Sequence, residues 1–103
     1  MDRIATFRRF IEARPTDPFP RYGLAMELRS QERLPEAVVA FEELIATCPD
    51  YVPTYLMAGT TLAKAGDKVR AKDVMQVGCE VATRKGDRHA LGELETALMA
   101  LDD

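Results

Sequence analysis

The chain is poor in the residues that most protein chemistry needs. Among its 103 residues there is one histidine, His89, and one serine, Ser30. A metal set gathers several imidazole, thiolate or carboxylate ligands. His89 has no cysteine and no second histidine near it in sequence, so it reads as a surface residue. A serine nucleophile needs a base and an orienting acid, and no such constellation can be assembled around Ser30. The glycines are scattered and form no phosphate-cradling loop. The carboxylates Glu42, Glu43, Glu93 and Glu95 read as solvated helix faces. These absences argue against an enzyme, and no cofactor and no metal is expected. Cys48 and Cys79 are the only cysteines and have no C-x-x-C spacing. They read as reduced, partly or wholly buried thiols near helix ends, acting as small hydrophobes.

Long apolar runs are also lacking. None approaches the roughly 20 residues that span a bilayer. The first residues, Met1 to Arg9, show no apolar core of a secretory leader. A cytoplasmic location is the expectation, with no membrane as partner. Basic excess is missing too. The net charge is −3, whereas a nucleic-acid face needs a concentrated basic patch. Arg3, Arg8, Arg9, Arg14 and Arg21 do gather near the start, and they read as a solvated helix face.

What the chain has is helix punctuation and helical spacing. Pro35 to Asp50 is the clearest stretch. Pro35 suits a first helical turn. Ala37, Phe41, Leu44 and Ile45 form one apolar stripe. Pro49 closes the helix, because a residue before proline leaves the α region. Five more helices are expected around it. The first runs from Asp2 to about Arg14, with Ile4, Phe7 and Ile11 on one face and Phe10 at its edge. Asp17 caps the second, Pro18 opens it, and Leu24, Ala25 and Leu28 point inward. Asp50 is expected to cap the fourth, whose inward set is Tyr55, Ala58, Gly59 and Leu62. Gly66 and Asp67 stop it and cap the fifth, which carries Val69, Ala71, Val74, Met75, Gly78, Cys79 and Ala82 inward. Gly86 and Asp87 repeat that device before a last helix with Leu91, Leu94, Leu98 and Leu101 on one stripe. Nothing alternates like a strand.

The central stretch recurs. Thirty-four residues before Phe41, Leu44, Ile45 and Pro49 stand Phe7, Phe10, Ile11 and Pro15. Thirty-four residues after Ala37 and Phe41 stand Ala71 and Met75. A fixed period of this size marks stacked repeats. The period, with Leu24-Ala25, Leu28, Ala37, Phe41 and Pro49 in one copy and Tyr55, Ala58-Gly59, Leu62, Gly66, Ala71 and Met75 in the next, resembles the tetratricopeptide repeat. The resemblance covers nearly the whole chain. It departs at Arg21, where the family has an aromatic, at Glu32, where a glycine is usual, and at Thr83, where a proline is usual.

The resemblance implies an all-α solenoid of antiparallel helix pairs forming a single domain. Residues 18–51 and 52–85 would be full repeats, residues 1–17 and 86–103 capping half-repeats. Ala25, Ala37, Gly59 and Ala71 would let helices approach, while Leu28, Phe41, Leu62 and Met75 fill the space between. Glu95 is tolerable on the outer side of a terminal helix, so the leucine stripe is preferred there over a register pairing Leu91 with Gly92. By the same logic Gly59→Ala is expected to be neutral or stabilising, since Ala25 occupies the equivalent place.

The resemblance also implies a binding module for peptides or proteins, along a concave groove lined by the first helix of each pair. The groove positions are Phe19, Tyr22, Met26 and Arg29, then Leu56, Thr60 and Lys64. Arg29 and Lys64 would orient acidic groups of the partner. The Lys/Asn set by which some family members clamp a terminal carboxylate is missing: Tyr22, Met26 and Met57 stand there. The second expectation, of another class, is a self-assembling module that dimerises through these surfaces or the last helix.

Overall fold

The computed structural model describes residues 2–102. Among them lie six helices and no strand: α1 (Arg3–Ala13), α2 (Pro18–Ser30), α3 (Leu34–Thr47), α4 (Pro53–Lys64), α5 (Lys68–Lys85) and α6 (Arg88–Leu101). The fold is all-α, as expected. The helices fall into two compact units, one ending at Tyr51 and one starting at Val52. In the first, α2 packs on both α1 and α3; in the second, α5 packs on α4 and α6, and α4 touches α6. No described helix is long and apolar enough to cross a membrane.

Local chemistry sets most boundaries. Asp2, Asp17, Asp67 and Asp87 each precede a helix, and each carboxylate accepts a backbone N–H of the first turn at 3.0 Å. Such a cap contributes about 1 kcal/mol. Cys48 N–H donates to the Leu44 carbonyl at 2.7 Å just before Pro49, and Arg14 N–H to the Phe10 carbonyl at 2.9 Å just before Pro15. The two ends are one device repeated. Gly66 and Gly86 end α4 and α5 with φ of 92° and 70°, a left-handed backbone that glycine adopts without strain. α5 lacks a stopping proline at Thr83 and runs on to Lys85.

One expected cap is corrected. Asp50 does not cap α4; the cap position is Val52, which has no side-chain oxygen to offer. Pro53 opens the helix two residues later than an Asp50 cap requires, and proline needs no N–H partner there.

In the first unit Ala25, Ala37, Phe41 and Leu44 are wholly buried, with Leu24, Leu28 and Ile4 nearly so. Val38 and Ala40 are buried as well, widening α3's apolar face beyond the expected stripe. Each buried leucine or phenylalanine contributes about 1.5–3 kcal/mol. α1 and α2 close at Gly23, where a Cβ would lie 2.4 Å from Phe7 Cε1. Arg21 is not part of a solvated face. Its side chain is only 16% exposed, and Nε donates to the Pro15 carbonyl at 2.9 Å.

In the second unit Tyr55, Ala58 and Leu62 of α4 meet a core with Ala71, Met75, Val81 and Ala82 of α5 and Leu94 of α6. Glu95 is exposed while Leu94 is buried, so the leucine stripe is the inward face of α6. Two glycines hold the helices close. A Cβ on Gly59 would stand 2.6 Å from Met75 Cγ, and one on Gly78 would stand 2.5 Å from Tyr55 Cβ. The expectation for Gly59→Ala is therefore corrected: the new methyl has no room until Met75 moves. Val69 is corrected too. It is 74% exposed, because it lies on the side of α5 opposite the Ala71–Met75–Gly78–Ala82 stripe. Both cysteines are free and half-buried. Cys48 sits at the end of α3 as expected, but Cys79 lies well inside α5, which is longer than the other helices.

Candidate functional site

Phe19, Tyr22, Met26 and Arg29 recur every three or four residues on α2, so one stripe of that helix carries them. The packed stripe of α2 is Leu24, Ala25 and Leu28. Phe19 is 74% exposed, whereas Tyr22, Met26 and Arg29 are half-buried. The Tyr22 ring stands edge-on to Tyr51, with centroids 5.7 Å apart and planes at 72°. Burial pushes the Tyr22 hydroxyl above the usual tyrosine range; Tyr51 adds to this and Arg29 opposes it.

Tyr22 and Met26 line a depression of about 710 Å³ between α1 and α2, floored by Phe7, Phe10 and Gly23 and edged by Arg3 and Glu27. Phe19 does not reach it. It lines a second hollow of about 350 Å³ that shares Phe7 and Phe10 and is edged by Arg14 and Asp17. Sequence reasoning named the α2 side of this surface and missed the α1 side. The signal was present: Phe10 falls at the edge of α1's apolar face, and it is 54% exposed.

The three candidates of the second unit differ among themselves. Leu56 is half-buried and lines a small hollow of about 180 Å³ with Pro53 and, from α6, His89, Ala90 and Leu94. The Thr60 hydroxyl donates to the Met57 carbonyl of its own helix at 3.2 Å. Lys64 is exposed at the end of α4. His89 is exposed and lies 3.2 Å from Glu93, one turn on. Among the described residues no cluster of histidine, cysteine and carboxylate could hold a metal.

No family model and no curated protein matches the sequence. Solved structures do. A tetratricopeptide repeat domain protein from Salinibacter ruber, in its crystal structure, is 37% identical over 84% of this chain and 97% of its own, with a TM-score of 0.78. Its solution structure gives 38%, 84%, 88% and 0.79. At 15% identity the TPR2B domain of yeast Sti1, solved as a pHsp70 complex, shares the fold over 96% of this chain and 79% of its own, with a TM-score of 0.89. The period, the paired caps and a relative of this identity and coverage agree: the chain belongs to the tetratricopeptide repeat family.

Proposed function

We propose that the chain is a non-enzymatic protein-interaction module. Residues 18–51 and 52–85 act as its repeats, with 1–17 and 86–103 flanking them. The first helix of each repeat presents the binding residues: Phe19, Tyr22, Met26 and Arg29 on α2, and Leu56, Thr60 and Lys64 on α4. The bound segment is apolar or amphipathic, and Arg29 and Lys64 orient its acidic groups. The observation that carries this reading is the apolar depression of about 710 Å³ at Tyr22 and Met26. A hollow of this size, with apolar walls and a few charged groups at its rim, suits side-chain anchors of a peptide. The Sti1 domain that shares the fold was solved as a pHsp70 complex, which supports a protein or a segment of one as the class of ligand. Capture of a terminal carboxylate is not part of the proposal, because Tyr22, Met26 and Met57 stand where the clamp needs Lys or Asn.

Affinity capture from the native cell, run with wild type and with the Tyr22→Glu/Met26→Glu variant, tests the reading. The variant should keep its helical signal and lose the partner. Equal recovery by both proteins rejects the α2 surface. The second reading is self-assembly, favoured by the 70% exposure of Met99 on α6. Sedimentation across a concentration series separates the two, since a stable dimer buries more than about 1,000 Å² and persists on dilution.

A further inference from the structure

The repeat register shows which face of α1 is left open by the described helices. In the second unit, Met75 and Gly78 of α5 lie against Gly59 and Tyr55 of α4. The same positions one period earlier are Phe41 and Leu44 of α3, both wholly buried in the unit where α2 packs on α3. One period earlier again they are Phe7 and Phe10 of α1. Phe7 is half-buried and Phe10 is 54% exposed. Phe7 lies against Gly23 of α2 on one side, and among the described residues no helix precedes α1. The open depression of about 710 Å³ is floored by these two rings.

The charges on α1 define what fits. α3 carries Glu43, and Arg21 of the helix packed on it lies 3.8 Å from that carboxylate. The residue of α1 at the Glu43 place is Arg9, and Arg8 likewise replaces Glu42. The sign at this contact is reversed. A helix seated on α1 as α2 is seated on α3 is therefore complementary when it carries an acidic residue where α2 carries Arg21. The outward side of α6 fits poorly: beside the charged Arg88 and Glu93 it offers Gly92, Thr96, Ala97 and Ala100, and among the described residues its one large exposed apolar group is Met99, too little to fill the hollow. A second copy is thus a weaker occupant than a partner helix with large apolar groups.

We infer that the Phe7–Phe10 face of α1 seats one amphipathic helix of another protein, in the place of a first repeat helix, with an acidic residue of that helix against Arg9. The inference rests on the interaction-module reading and gives its partner a chemistry. The apolar stripe fills the hollow between Phe10, Tyr22 and Met26. Arg3 stands where α3 and α5 have Ala37 and Ala71, so the seated helix is held at its middle and splays at that end.

The probe is a lactam-bridged, fluorescently labelled peptide of residues 17–31, the helix that covers the equivalent face of α3, carrying Arg21→Glu. Fluorescence anisotropy on the full chain should show it binding about two- to fivefold more tightly than the same peptide with Arg21, the range of an exposed charge pair. Arg9→Glu in the protein should invert that preference. Phe10→Glu, at an exposed position, should weaken both peptides at least about tenfold. Absence of binding by either peptide overturns the seat, as does a preference that Arg9→Glu leaves unchanged. Self-association of the chain that Phe10→Glu abolishes overturns the partner as occupant. If Tyr22→Glu/Met26→Glu loses the cellular partner while Phe10→Glu and Arg9→Glu both keep it, the interaction module stands and this seat falls.

Discussion

Glu32 and Gly66, one repeat apart, turn the chain with the same left-handed backbone, φ 61° and 92°. Their hydrogen bonds match as well. Glu32 N–H donates to the Arg29 carbonyl and Arg33 N–H to that of Leu28; Gly66 N–H donates to Ala63 and Asp67 N–H to Leu62. The repeat imposes the turn, and the first copy holds it without the residue that suits it. An L-residue pays about 1–2 kcal/mol in this conformation. Glu32→Gly should raise stability by about 1 kcal/mol in urea unfolding, once the extra freedom of glycine in the unfolded chain is offset. A loss of stability would mean that the Glu32 side chain contributes more than its backbone costs.

Three glycine-to-alanine changes should rank by what each methyl meets. Gly92 is exposed with open space around it, so alanine should stabilise α6 by about 1 kcal/mol through helix propensity alone. At Gly59 the methyl meets Met75, a flexible chain that is nonetheless 1% exposed and has little room to move. At Gly78 it meets Tyr55 Cβ, which is fixed to its backbone. Gly78→Ala should cost about 1–3 kcal/mol, the usual range for overpacking, with Gly59→Ala between the other two. Ala37→Leu, at a wholly buried position, should fall with Gly78→Ala. Thermal melts give the order directly, and a variant of Gly78 as stable as wild type would contradict the close approach of α4 and α5.

Thr54 is wholly buried, and its hydroxyl has no hydrogen-bond partner among the described residues. An unmet buried hydroxyl costs roughly 1–3 kcal/mol. Thr54→Val keeps the shape and removes that oxygen, so denaturant midpoints should rise by an equivalent of about 1 kcal/mol. An unchanged or lower midpoint would show that the hydroxyl is satisfied in solution.

The Tyr22 hydroxyl is shifted upward by burial. Between folded and unfolded chain, the unfolded tyrosine ionises first. The contribution of neutral Tyr22 to stability is full below the ordinary tyrosine value of 10.0 and is lost as pH rises through the higher folded value. Phenolate absorbance should show a late-titrating component, and Tyr22→Phe should reduce it by one tyrosine's share. Partner binding at the α2 surface should deepen the burial and delay it further.

Both thiols should react once the protein is unfolded. In the folded chain they should differ. Burial pushes the Cys79 thiol up, and the nearby Glu95 and Glu80 carboxylates push it the same way. Less thiolate means slower alkylation. Mass spectrometry during a timed iodoacetamide reaction near neutral pH should find Cys79 modified more slowly than an unhindered cysteine. Rapid labelling would place Cys79 in a more open site than α5 gives it.

The sequence by itself determined where most helices start and stop and the main inward stripe of each, though not the start of α4 or the outward turn of Val69. Asp17, Asp67 and Asp87 cap because a carboxylate reaches an N–H two or three residues away. Phe41 and Leu44 face inward because their spacing follows the turn of the helix. Both effects are local, so a string of residues contains them. Only the tertiary structure decided the rest. Gly23 is a contact point because Phe7, from another helix, lies against it. Val69 is outward and Arg21 half-buried because of where the neighbouring helices pass. Within the proposed surface, Phe19 and Tyr22 share one stripe of α2 yet line different hollows, because Phe7 and Phe10 of α1 divide the space between them. These facts depend on residues distant in sequence, and side-chain packing between helices, not periodicity along one of them, settles them.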